Sequence, residues 1–421
     1  MAALVPDSLT RDPDSRPDYD AEAGAAAPRV RRPLSLFLLI AGMAAFALYY
    51  VVTYVPASGN GSDFQVFFSA AMADKQGINP FNWPALWRVQ QQLFNGGVGH
   101  SLPFAFAPYT DPPPFALLLR PFAGLSEHQA YRLWAALLIA CGALGSYLAL
   151  YEWPRRPRLL ASALVACSPA ALFDLRLGQN STPLLLALGA AYRLTSLGRP
   201  FLAGLCLGCG LFKPHLMGPI AVIVILAAPR GSKRAMTAGF ALAGGLAVLV
   251  GVLFDGGPAV YGHWLTGLRQ LGDSISLQPD LASVSGLYQG SAASGVLNAA
   301  CLLGAAGIIA LLALRAQRSG LRGRQDLLGG GIAVYLALSP YVHTSDQILL
   351  APALLALIGP SGDGLREQAV LLAAWVVILA PMVVIRDYHT VGINALPPIT
   401  VALAYWMRCR CDARILGGAH G

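Results

Sequence analysis

Apolar segments follow one another along most of this chain, separated only by short polar or Pro- and Gly-containing breaks. Charged residues make up 12% of the 421 residues, whereas a soluble globular domain carries roughly 25%. So few charges cannot cover the surface of a water-soluble protein of this length. The pattern therefore excludes a soluble enzyme, a fibrous repeat and a disulfide-stapled secreted module. It predicts an all-α fold, namely a polytopic transmembrane helical bundle.

The apolar segments predict about twelve spans, several of them shorter than the roughly 20 residues that a simple spanning helix needs. Short, broken helices are tolerated when they are buried among other helices or line a cavity. The bundle is expected over 33–411, with a disordered cytoplasmic tail at 1–32 and a short cytoplasmic tail at 412–421. The expected spans are 34–55, 127–150, 159–173, 182–197, 201–213, 215–228, 235–254, 292–314, 327–341, 347–359, 368–385 and 391–407.

The distribution of positive charge predicts the topology. Most of the 29 Lys and Arg residues fall on alternate segments between the spans, which places both termini in the cytoplasm. The net charge of +8 is therefore interpreted as topology information and not as a nucleic-acid footprint. Two long loops, 56–126 and 255–291, then lie on the outer face, and most polar clusters gather there. The short inner loops, with no eukaryotic retention signal, favour a bacterial inner membrane.

The seven cysteines are scattered, and they match neither a zinc site nor a disulfide framework. Cys206 and Cys209 lie in a Gly-rich apolar run, where small residues let helices pack closely. Redox or metal chemistry at this pair is the alternative.

Two carboxylates stand out in the first outer loop. Asp63 opens a stretch with Phe64, Phe67 and Phe68 at helical spacing, which predicts an interfacial helix in this loop. Asp63 is either the N-cap of that helix or a general base acting on a hydroxyl. Asp111 precedes three prolines that favour a stiff loop, and it is either a turn residue or a second acidic group.

Further polar groups fall at later breaks between apolar runs. Arg176, Gln179 and Asn180 lie in one of them; a capped turn explains Asn180, whereas the Arg176 guanidinium suits a phosphate. Lys213 is either a functional cation at membrane depth or a side chain that snorkels to the interface.

His343 and Asp346 are three residues apart, so that they can share a turn or one helix face. A structural histidine is the alternative to a functional one. None of these motifs is specific by itself.

The order of the clusters resembles glycosyltransferase family 87, which includes polyprenol-phosphate-mannose-dependent mannosyltransferases. The resemblance spans about 35–410. Phe stands here where Tyr is frequent after the first carboxylate, and no family role carries over to Asp111. The matching positions are Asp63, Phe67, Phe68, Ala70, Ala71, Gly77, Pro80, Phe81, Tyr109, Pro112, Pro113, Phe115, Pro121, Gly178, Gln179, Gly204, Gly208, Gly210, Lys213, Pro214, Ser339, Pro340, His343 and Asp346.

The resemblance implies a C-type glycosyltransferase with an extracytoplasmic active site. It would move a hexose, with mannose expected, from a polyprenyl-phosphate sugar to a glycan or glycolipid acceptor, with inversion and with Asp63 as the general base. No cofactor, metal or nucleic acid is expected, and the partners are the two substrates and membrane lipid. The expected substrate-binding residues are Arg176, Gln179, Asn180, Lys213, His343 and Asp346.

Two other functions compete with this one. A lipid-linked sugar flippase or other transporter would show repeated halves with polar residues near the midplane, and no such repeat is present. A non-catalytic protein of envelope assembly would tolerate substitution of Asp63, Lys213 and His343.

Overall fold

The computed structural model describes residues 61–94, 107–254, 256–274, 281–288, 291–318, 320–358 and 395–418. Within these ranges the chain is helical and forms no strand, so the predicted all-α class is confirmed for them. The predicted span 34–55, the span 368–385 and the tail 1–32 lie outside the described residues.

The described ranges contain fifteen α-helices and five 3-10 segments of three to seven residues. The α-helices are α1 Ser62–Lys75, α2 Trp83–Phe94, α3 Pro113–Leu119, α4 Glu127–Ala149, α5 Arg155–Ala166, α6 Pro169–Leu177, α7 Ser181–Ser196, α8 Pro200–Cys209, α9 Pro214–Ala227, α10 Lys233–Phe254, α11 Ala259–Ser274, α12 Ser294–Arg318, α13 Gly320–Leu338, α14 Ala351–Ile358 and α15 Leu396–Gly418. The 3-10 segments are Arg120–Gly124, Gly210–Phe212, Arg230–Ser232, Val284–Leu287 and Thr344–Leu350.

Three of the described helices are long and apolar enough to cross a membrane. They are α4, the segment Arg230–Phe254 that contains α10, and α12. The pair α5 and α6, bent by 46°, counts as a fourth if it is one span. On α12, Val296 and Leu303 are each 74% exposed, which suits contact with lipid. The chain is thus a membrane protein, while the predicted number of about twelve spans is not confirmed.

Glycines bring two pairs of helices into backbone contact. A Cβ atom on Gly189 of α7 would meet the backbone of Gly145 on α4, and one on Gly204 of α8 would meet the Met236 carbonyl on α10. Close approach of this kind is the use of small residues at membrane helix interfaces. The Gly-rich run around Cys206–Cys209 therefore serves packing, as predicted, and both cysteines are free thiols.

Helix α1 packs into an apolar core instead of lying open on a surface. Phe64, Phe67 and Phe68 are nearly fully buried, and the Phe64 and Phe67 rings contact Trp134 of α4. Because the apolar face of α1 is covered by α4 and by Arg120–Gly124, the predicted interfacial position of this helix is not confirmed.

Candidate active site

The Asp63 carboxylate faces another segment of the chain and does not cap its own helix. The N-cap of α1 is Gly61, and it makes no side-chain capping bond. The Asp63 carboxylate accepts a hydrogen bond from the Gln179 side-chain amide and one from Ser62 Oγ at 3.2 Å. Of the two roles predicted for Asp63, the N-cap role is therefore not the one seen.

Two glycines with positive φ bring Asp63 beside Gln179. Gly178 ends α6 in the left-handed region at φ 69°, and a Cβ atom there would collide with Phe64. Gly61 has φ 40°, and a Cβ atom there would also collide with the backbone at the end of α6. The start of α1 and the turn between α6 and α7 therefore touch through backbone atoms, which only glycine permits.

A buried ion pair lies on the far side of Gln179. Lys213 Nζ is 2.7 Å from Asp346 Oδ1, and the two side chains are 6% and 0% exposed. Lys213 follows the 3-10 turn Gly210–Phe212 and precedes Pro214, the first residue of α9, so the break between two helices points the side chain inward. The ammonium is therefore held inside the protein, and the snorkelling interpretation of Lys213 is wrong.

Gln179 links the ion pair to Asp63. Its Nε2 donates to the Asp63 carboxylate, while its Oε1 accepts from Lys213 Nζ at 3.2 Å. A continuous hydrogen-bonded path thus runs Asp63–Gln179–Lys213–Asp346. Below, these four residues are called the polar path.

Asp346 holds its neighbours in place with both carboxylate oxygens. Oδ1 accepts from Lys213 and from Ser181 Oγ at 2.6 Å, and Oδ2 accepts from the His343 backbone N–H at 2.8 Å. Burial opposes ionisation of Asp346, but Lys213 and His343 more than offset it and hold its pKa at about 2. Ser181 is not among the predicted site residues, although its place in the same polar turn as Gln179 is a signal that points to it.

The turn before α7 is stabilised by a residue that the sequence analysis does not single out. Asp174 is fully buried, and its two oxygens accept from the backbone N–H groups of Ser181 and Thr182 at 3.0 and 3.1 Å. It supplies the cap of α7, since the N-cap residue Asn180 makes no side-chain capping bond. Asp174 therefore fixes the backbone that carries Gln179 and Ser181.

Asp111 belongs to the same cluster of polar groups. Its Oδ1 accepts from Asn180 Nδ2 at 3.3 Å. Burial raises the pKa of Asp111 to about 7, against the opposing effects of Lys213 and Asn180, and the nearby charge of Asp63 adds to the rise. Of the two roles left open for Asp111, that of a second acidic group beside the polar path is the one that this placement favours.

Two histidines flank Tyr341 near the end of the polar path. The rings of His215 and His343 each meet the Tyr341 ring edge to face, with centroid distances of 5.5 and 5.0 Å. His215 Nε2 is buried and has no hydrogen-bond partner. Arg176 lies half-buried in the last turn of α6. Across the described ranges, no cluster of three or more His, Cys, Asp or Glu residues has the arrangement of a metal site.

The arrangement combines the Asp63 carboxylate with the buried Lys213 ammonium, and the Gln179 amide is hydrogen-bonded to both. A carboxylate can accept a proton from a hydroxyl, and a buried cation can stabilise an anion that develops during a reaction. The polar path thus has the groups for a group transfer with an anionic leaving group.

The family model of glycosyltransferase family 87 matches residues 109–340, more than half of the chain. No match was found among curated proteins or among solved structures. The matched segment contains Gln179 and Lys213, whereas Asp63 precedes it and Asp346 follows it shortly after. The chain belongs to glycosyltransferase family 87, and it is a membrane glycosyltransferase.

Proposed function

We propose that this protein transfers a hexose from a polyprenyl-phosphate sugar to a hydroxyl of a glycan or glycolipid acceptor, with mannose as the expected sugar. The observation that carries the proposal is the hydrogen-bonded polar path from Asp63 through Gln179 to the buried pair Lys213–Asp346. The candidate base, Asp63, and the candidate cation for the leaving group, Lys213, are both hydrogen-bonded to the Gln179 side chain. The reaction takes place on the extracytoplasmic side of a bacterial inner membrane, and both termini are cytoplasmic.

In the proposed reaction Asp63 accepts the proton of the acceptor hydroxyl as that oxygen attacks the anomeric carbon. The bond from the anomeric carbon to the phosphate oxygen breaks, and its electron pair leaves with the polyprenyl phosphate. The transition state has oxocarbenium character, as at other glycosidic centres. Attack and departure occur on opposite faces of the sugar, so one carboxylate is sufficient and the configuration is inverted. Gln179 orients the Asp63 carboxylate through its hydrogen bond.

The leaving phosphate needs positive groups or hydrogen-bond donors. Lys213 is the proposed central cation, but Asp346 already offsets its charge at 2.7 Å. Further donors are therefore required, and we assign Arg176 and His343 to this role and Asn180 to the donor headgroup or sugar. The raised pKa of Asp111 reduces the negative charge beside the phosphate. With these groups in place, the reaction requires neither a metal nor another cofactor.

The test replaces Asp63 by Asn, which keeps the size of the side chain and removes its basicity. The purified variant in lipid nanodiscs is supplied with radiolabelled polyprenyl-phosphate mannose and a glycolipid acceptor. We expect the rate of transfer to fall about 10²–10⁴-fold, the usual contribution of general acid–base catalysis.

Asp74→Asn is the matched control, because it makes the same change near the opposite end of α1, where Asp74 pairs with Arg120 at 3.4 Å. It is expected to retain activity. Transfer by Asp63→Asn at the wild-type rate would show that Asp63 is not the base. A product with the anomeric configuration of the donor would refute inversion.

A further inference from the structure

A groove lined by aromatic and neutral polar side chains lies outside the polar path. Its volume is about 680 Å³, within the range of roughly 300–1,000 Å³ that is typical of ligand pockets. One wall carries Phe81, Trp83 and Trp87, at and just before the start of α2. The other wall carries His263, Thr266 and Gln270 of α11.

One wall is a regular face of helix α11, and side-chain contacts join the other wall to it. On α11 the lining positions His263, Thr266, Gly267 and Gln270 recur at the spacing of a single helix face. Asn79 Nδ2 lies 3.0 Å from His263 Nδ1 and ties the loop before α2 to α11. Gly267 lets the Trp83 ring approach the α11 backbone, because a Cβ atom there would lie 3.3 Å from that ring. The groove is therefore a built feature and not a gap between loosely placed segments.

The lining predicts the chemistry of the ligand. No Lys, Arg, Asp or Glu is present among the lining residues that the structure describes, so the groove favours a neutral ligand over a phosphate. The indole rings of Trp83 and Trp87 offer apolar faces, while the amides of Asn82 and Gln270 both donate and accept hydrogen bonds. A sugar ring matches both properties, since it has an apolar C–H face and hydroxyl groups around its edge.

Segment 109–111 connects the groove to the candidate active site. The Phe81 ring, in the groove, contacts the Tyr109 ring with centroids 5.5 Å apart, and Trp264 Nε1 donates to the Thr110 carbonyl at 2.8 Å. Thr110 directly precedes Asp111, which Asn180 joins to the turn that carries Gln179. The short segment 109–111 thus contacts residues of the groove region through Tyr109 and Thr110, and the candidate active site through Asp111.

We propose that this aromatic groove binds the neutral sugar residues of the acceptor glycan adjacent to the residue that receives the new hexose. The proposal rests on the proposed glycosyltransfer. It adds the site that makes the enzyme bind a longer acceptor glycan more tightly than a shorter one. The donor's charged phosphate is held at the polar path, while the neutral acceptor chain runs past segment 109–111 into the groove.

The experiment compares Trp87→Ala and Gln270→Ala with wild type, using two synthetic glycolipid acceptors that carry one or three mannose residues. With the longer acceptor we expect Trp87→Ala to raise the acceptor KM about tenfold, as for loss of a buried aromatic anchor. The kcat, the donor KM and the KM of the short acceptor are expected to stay unchanged. Gln270 is exposed, so Gln270→Ala leaves the fold intact. This variant is also expected to raise the KM of the longer acceptor.

Trp406→Ala is the matched control, because Trp406 is a 51% exposed tryptophan of α15 that does not line the groove. Equal kinetics of wild type and both groove variants on the longer acceptor would overturn the proposal. A rise in the donor KM instead of the acceptor KM would also overturn it, since the groove would then hold the donor lipid.

A binding measurement separates this proposal from the proposed function. Calorimetry with mannotriose, on wild type and both variants in nanodiscs, needs no turnover. Binding by wild type that Trp87→Ala weakens would support the groove even if no transfer is detected. Transfer without any binding of mannotriose, and with unaltered acceptor KM in both variants, would overturn the groove and leave the proposed function standing.

Discussion

The buried pair Lys213–Asp346 allows the structural and chemical roles of the polar path to be measured separately. We consider three variants, Lys213→Met, Asp346→Leu and the double variant that carries both changes. Each single change leaves one charge buried without its partner, whereas the double change leaves an apolar pair of similar size. The Nζ–Oδ1 distance of 2.7 Å and the exposures of 6% and 0% make Lys213–Asp346 a buried ion pair.

The expected magnitudes follow from this burial. Breaking a buried pair by removing one partner costs about 3–5 kcal/mol, whereas replacing both partners by apolar residues is often neutral or stabilising. Asp346→Leu also removes the acceptor for Ser181 and for the His343 N–H, so it belongs at the upper end of that range. We therefore expect the double variant to be more stable than either single variant. Transfer activity is expected to be lost in all three, because Lys213 is absent or no longer held in place.

The free energy of unfolding is measured by chemical unfolding in mixed micelles, followed by tryptophan fluorescence, and the four values form a double-mutant cycle. The radiolabel transfer assay measures the activity of the same proteins. The pKa of Asp346 is about 2, below its ordinary value of 3.8, so its contribution to stability is present above pH 3.8 and is lost as the pH falls through about 2. Additive losses in the two single variants would refute the reasoning, since independent residues show no coupling energy. Wild-type transfer by the double variant would remove Lys213 from the proposed mechanism.

Two further predictions follow from Asp111 and from Gly178. Because burial raises the folded-state pKa of Asp111 from 3.8 to about 7, its contribution to stability is greatest below pH 3.8 and is lost as the pH rises through 7. The unfolding midpoint of Asp111→Asn should therefore fall less between pH 4 and 8 than that of wild type. An equal pH dependence of the two midpoints would contradict this assignment. Gly178→Ala forces a side chain into φ 69° and against Phe64, which should cost about 2 kcal/mol or more and lower kcat by moving Gln179. Gly218→Ala, where nothing lies within 4 Å of the added Cβ atom, is the control and should be neutral or slightly stabilising; equal effects of the two substitutions on unfolding would rule out the packing argument.

The helical class and the membrane environment follow from composition alone. Charged residues make up only 12% of the chain, and its apolar runs have helical length, which favours helices that satisfy their own backbone polar groups inside a membrane. The number of spans does not follow in the same way. Short apolar helices such as α8 and α9 meet at a break, and hydropathy does not tell whether such a pair crosses the membrane or turns back inside the protein.

The residues of the candidate site were predictable because polar groups are rare in an apolar chain. Gln179, Lys213 and Asp346 each interrupt an apolar run, and each lies on the polar path. Asp174 was not predictable as the cap of α7, because its carboxylate accepts from N–H groups seven and eight residues further along the chain. Local spacing carries no signal for such a contact.

The sequence by itself determined that this chain is a helical membrane protein whose few polar residues gather at the breaks between helices. Only the tertiary structure decided that Asp63 meets Gln179, 116 residues away, and that Asp346 meets Lys213, 133 residues away. The physical reason is that these contacts depend on backbone approach at Gly61 and Gly178 and on the path of several packed helices. A pattern along the chain records which residues are polar, but the distance between two of them is set by everything that packs between them.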